Sequence, residues 1–87
     1  MTYMFARSKA GHDKGQVYLV VSETGDFVYL ADGKQRPVEK PKKKNRKHIQ
    51  FIKKLPGEVT KVLDLQTPPG NIQIKRALKL YISREED

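Results

Sequence analysis

The sequence predicts an all-β core, a small five-stranded barrel, followed by a C-terminal helical appendage. Three observations carry this. Short runs rich in β-branched and aromatic residues recur from Tyr3 to Ile52, separated by glycine, proline and Asx turns at roughly 8–12-residue intervals. That many strands in about 50 residues are most economically arranged as a barrel, because closure removes exposed edges. After Pro56-Gly57 the apolar spacing changes to that of a helix.

Taken in order, Tyr3 to Arg7 reads as a first strand. Ser8-Lys9-Ala10-Gly11-His12-Asp13-Lys14-Gly15 reads as a loop whose two glycines supply positive φ or a close backbone approach. Gln16 to Ser22 is the strongest strand, and its continuous apolarity predicts burial on both faces. Glu23-Thr24-Gly25-Asp26 turns the chain into an antiparallel partner, Phe27 to Ala31, and Asp32-Gly33 turns it again. Pro37 to Lys40 can form only a short or edge strand, since proline donates nothing to a ladder. Pro41 to Asn45 reads as an exposed loop, and His48 to Ile52 as a closing strand with Ile49 and Phe51 on one side. Beyond it, Glu58 to Leu65 leans to a short helix. Asn71 reads as the N-cap of a second helix from Ile72 to about Ser83. Ile74, Ala77, Leu78, Tyr81 and Ile82 form one face of that helix, which needs a cover, either the chain's own barrel or a partner.

The chain's 87 residues hold one domain and an appendage: a barrel over 1–54, carrying a basic segment at 34–54, and a helical extension over 55–87. With no cysteine, neither disulfides nor a cysteine-based zinc site can hold the fold. No apolar run approaches the ~20 residues of a membrane span, and MTYMFARSKAG has no signal-type apolar region, so a cytoplasmic protein is expected. Ser8, Ser22, Ser83, His12 and His48 carry no catalytic pattern. The expectation is therefore no enzyme, no cofactor, no metal and no small-molecule substrate.

Charge points instead to a polyanion. Between Lys34 and Lys54 stand ten Lys or Arg residues against one acid, a net +9 in a chain whose total is +8. The basic character is therefore one local block, and such a block calls for a polyanion. Nucleic acid is the default partner, because Lys and Arg on phosphates release condensed counterions. Within the block Lys34, Arg36, Lys40, Lys42, Lys43, Lys44, Arg46 and Lys47 are candidate phosphate contacts. Lysine dominance favours point-charge contacts, while Arg36 and Arg46 suit stacking or forked contacts. Gly11 to Gln16 is not a P-loop, since a strand follows it, but its amides beside Lys9 and Lys14 can cradle a phosphate.

The run SKAGHDKGQVYLVVSETGDFVYL, Ser8 to Leu30, resembles a KOW motif: basic glycine loop, valine-rich strand, turn, second strand. Its continuation ADGK and then KPKKKNRKHIQ is similar to KOW-containing RNA-binding proteins related to large-subunit ribosomal proteins. Those carry an Asn-x-Lys-His-Leu stretch, matched here by Asn45, Lys47 and His48, with Ile49 in place of leucine. The resemblance covers Thr2 to Gln50. It implies an SH3-like barrel that contacts RNA, commonly ribosomal RNA, and that is associated with the ribosome. Lys9, Gly11, His12, Lys14 and Gly15 would form the RNA-approaching loop, and Lys42 through His48 the basic element. After Gln50 the chain departs from these relatives. Barrels of this kind also occur in elongation factors as protein-interaction modules, and that is the alternative reading. A basic structural protein without a specific ligand is a third.

Overall fold

The computed structural model describes residues 3–86. Five strands, β1 (Phe5–Ser8), β2 (Val17–Thr24), β3 (Phe27–Ala31), β4 (Lys42–Asn45) and β5 (Ile49–Ile52), form one antiparallel sheet in the order β4-β3-β2-β1-β5. Helices α1 (Gly57–Leu63) and α2 (Asn71–Glu86) follow. The sheet is open: β4 and β5 are its two edges, joined by a single 3-10 turn, Arg46–His48, with no ladder between them. The expected closed barrel is corrected to this extent.

Both faces of the sheet are buried, for different reasons. Phe5, Val17, Leu19 and Ala31 lie on one face and share a cluster with Val59 and Leu63 of α1 and Ile74, Ala77 and Leu78 of α2. The helical extension therefore completes the same core as the strands, and α2 turns its apolar face onto its own sheet. Ala6, Tyr18, Val28, Leu30 and Ile49 occupy the other face, and Phe51 packs against them, with no helix residue among them. Strands β1, β2, β3 and β5 all feed this second cluster, which a flat sheet would leave wet. The sheet is accordingly curled round it. The two-sided burial expected of β2 holds from Val17 to Leu19. At Val21 the β2–β3 register shifts, the strand bends, and its far half stands in solvent.

Three local expectations are corrected. The lysine run, expected as a loop, is β4, with Leu30 paired to Lys42 and Val28 to Lys44. Residues 37–40, expected as an edge strand, form a turn closed by Lys40 N–H on the Pro37 carbonyl. The Val38 N–H is taken by the Asn71 side chain (2.8 Å) and so is not available to a ladder. Asn71 itself is the first residue of α2 and not its cap. Gly70 holds the cap position: its carbonyl accepts from Ile74 N–H, and its N–H donates to the Gln73 side chain, half of a capping box. The asparagine thus serves as a clamp, its amide also donating to the Glu39 carboxylate.

Gly33 fixes the seat of that helix. Its φ is +79°, and a Cβ there would stand 2.3 Å from the Asn71 carbonyl oxygen. Gly33→Ala therefore meets both the left-handed penalty and a backbone collision. We expect it to lower stability by at least about 2 kcal/mol, read from the urea midpoint, while Gly25→Ala, with open space around it, costs only the conformational penalty.

Candidate nucleic-acid interface

Strand alternation decides what each lysine of β4 does. Residues i and i+2 share a face, so Lys42 and Lys44 lie with their partners Leu30 and Val28 over the inner cluster, while Lys43 points the other way. The aliphatic stems of Lys42 and Lys44 cover apolar surface, and their ammonium groups need an anion. Asp13 supplies it. Lys42 Nζ donates to Asp13 Oδ2 and Lys44 Nζ to Asp13 Oδ1, each at 2.8 Å. Ser8 Oγ donates to Oδ1 at 2.8 Å, and the Tyr18 hydroxyl to Oδ2 at 2.7 Å. Lys44 Nζ also donates to the Ala10 carbonyl. The residue between the two loop glycines is thus a buried carboxylate that accepts four hydrogen bonds.

Burial alone would raise the Asp13 carboxyl. The two ammoniums, then the Tyr18 and Ser8 hydroxyls, outweigh it and hold the group well below the usual carboxylate range. Tyr18 shifts the opposite way, raised by burial and then by donating to an anion. A depressed carboxyl contributes stability that is present above its unfolded value, about 3.9, and is lost as pH falls below it. A raised phenol contributes stability present below about 10 and lost at higher pH. The expected profile is a plateau between these limits. In Asp13→Asn the acid limb should flatten, which urea midpoints from pH 7 down to about 2 will show.

The same cluster ties the loop to β4 and to the 3-10 turn. Gly11, at φ +89°, faces Lys44 Nζ and the Asp13 carboxylate, and the Lys9 N–H donates to the His48 carbonyl at 2.7 Å. Asn45 Oδ1 caps the turn by accepting from Lys47 N–H. Loop, edge strand and turn are therefore one surface. On it Lys9, His12, Lys14, Lys47 and His48 are exposed. Lys43 is exposed as well, its ammonium 4.1 Å from the centre of the Phe27 ring.

Other expected contacts are placed differently. Lys42 and Lys44 are held by Asp13, and Lys44 shows only 10% of its side chain to solvent, so phosphate can reach little of it. Arg46 is occupied at the β2–β3 hairpin, donating to the Gly25 carbonyl and pairing with Glu23. Lys34 and Arg36 are exposed on the 32–36 turn, whose Asp32 carboxylate accepts from both their backbone N–H groups. Arg36 lies close enough to Tyr18 for its charge to act on the phenol. Lys40 stands on the 37–40 turn that Asn71 clamps to the start of α2.

Sequence reading missed Asp13, which it treated as a loop polar residue, and with it the roles of Ser8 and Tyr18. The available signal was the i, i+2 spacing of Lys42 and Lys44, which on a strand puts two cations on one face and demands an acid. No group of three or more His, Cys, Asp or Glu side chains among the described residues is placed to hold a metal ion. No helix among them is long and apolar enough to cross a membrane. No family model matches the chain, and no curated protein matches it.

Proposed function

We propose that this protein is an RNA-binding domain of the SH3-like, KOW-containing kind, associated with the ribosome, which holds RNA by its phosphate chain. The observation that carries the reading is the convergence of the glycine loop, β4 and the 3-10 turn on one exposed cationic surface, locked together through Asp13. The curled five-stranded sheet supports the fold side of the reading. Lys9, Lys14, Lys43 and Lys47 remain available as phosphate contacts on this surface, and Lys34 and Arg36 on the separate 32–36 turn. Gly11 and Gly15, both at positive φ, let a sugar–phosphate chain approach the loop backbone. Lys42 and Lys44 build the platform from beneath. His12 and His48 stand where a base or a 2′-hydroxyl can meet an exposed ring.

Charge then dominates affinity, with little sequence preference. Six contacts at about 0.7 counterions each give a slope of log K against log salt near −4. Titrating RNA between about 50 and 200 mM salt tests this. Reversing Lys9, Lys14 and Lys47 to Glu should abolish binding and co-sedimentation with ribosomes without lowering the melting temperature. A salt-independent response, or binding retained by the reversed variant, defeats the reading. Ribosome co-sedimentation without affinity for RNA would favour a protein-interaction module instead.

A further inference from the structure

A second cationic surface lies on the opposite side of the glycine loop. Between α2, the end of β1 and the start of β2 runs an open groove of about 670 Å³. Val17, Leu78 and Ile82 give it an apolar lining, and Lys34, Lys75 and Lys79 stand round it. Two acids also line it, and both are already satisfied. Asp32 accepts from the backbone N–H groups of Lys34 and Arg36, and Glu85 pairs with Arg7. The three lysines have no acidic partner among the described residues, so the groove calls for an anion with an apolar part. Its volume falls in the range of sites for small ligands, roughly 300–1,000 Å³.

The glycine loop connects this groove to the surface already described. Gly11 faces Lys44 at one end of the loop, and Gly15 lines the groove at the other. A chain gripped over the loop is thereby led from β4 toward α2. Resting on the RNA-binding reading, we propose that the groove takes unpaired nucleotides of the same RNA strand. Their bases lie on the exposed Ile82, above the buried edge of Val17 and Leu78, and their phosphates on Lys34, Lys75 and Lys79. Single-stranded RNA has both parts, a flat apolar face and a charge at every step. An unpaired extension also bends out of a duplex without the loss of base pairs.

The test compares a blunt RNA duplex with the same duplex carrying three unpaired nucleotides at either end, by fluorescence anisotropy at fixed low salt. The extension should tighten binding by at least about fivefold. That gain should vanish in the Lys75→Ala/Lys79→Ala double variant and in Ile82→Ser, all three positions being exposed. The blunt duplex should bind Ile82→Ser as it binds the parent. A parent that binds both RNAs equally, or a gain that survives the variants, overturns the groove assignment and leaves the loop surface standing. Failure of both RNAs to bind overturns both readings. Poly-glutamate that shifts the Ile82 and Lys79 amide resonances, where the extended RNA does not, assigns the groove to an acidic protein segment and overturns the proposal.

Discussion

Replacing Asp13 by alanine should cost about 3–5 kcal/mol, a large part of the stability of a domain this size. The substitution strands two ammonium groups over the inner apolar cluster and removes the acceptor of the Ser8 and Tyr18 hydroxyls. At about 4 °C or more per kcal/mol, the melting temperature should fall by more than about 10 °C. The cause can be separated from mere loss of volume. Replacing the whole ion cluster, Asp13→Ala with Lys42→Met and Lys44→Met, removes the stranded charges as well and should recover most of the loss. A single variant that melts within about 2 °C of the parent would show that the cluster does not hold the fold. The same substitution removes one negative charge from beneath the proposed RNA surface, so affinity for RNA at low salt should rise while stability falls. Few substitutions move the two quantities in opposite directions, which makes this one informative.

Deleting residues 67–87 should abolish cooperative unfolding altogether. The segment contributes Ile74, Ala77 and Leu78 to the cluster that covers Phe5, Val17 and Leu19, and Ile74 and Ala77 are fully buried. Truncating one such residue, Ile74→Ala, costs about 2–5 kcal/mol by itself. Removing the helix uncovers much of that face of the sheet and takes from α1 the helix it packs against. Near-ultraviolet circular dichroism and a denaturant titration will show whether a transition survives. A deletion variant with a sharp transition would mean that the curled sheet folds alone and that α2 is only docked on it.

How much of this was legible before any coordinates depends on whether the signal was local. Strand β2 announces itself because its residues are β-branched or aromatic nearly throughout, and β5 because Ile49 and Phe51 alternate, as the structure bears out in the inner cluster. The second helix reads clearly from the spacing of Ile74, Ala77 and Leu78. Strand β4 does not, since three lysines have no strand propensity and no apolar face. Their conformation is set by an acid 29 residues from Lys42 in sequence. Asn71 was misread for a related reason: its residue type suits an N-cap, but Val38 and Glu39, more than 30 residues away, take its side chain. For the site, the loop glycines and the basic block were visible as composition. Which lysines are free and which are spent on Asp13 is a property of the pleat alone.

The placement of β4 at the rim of an open sheet has one more consequence. A rim strand presents unpaired N–H and C=O groups that another copy of the chain can add to. Here the strand bears three consecutive lysines against the single charge of Asp13, so a second copy approaching in register meets a net charge of its own sign. Electrostatic repulsion thus serves as a guard against fibre growth, and it weakens when salt or a polyanion neutralises the lysines. Self-association, if it occurs, should therefore begin at high ionic strength and in the absence of anything covering that strand.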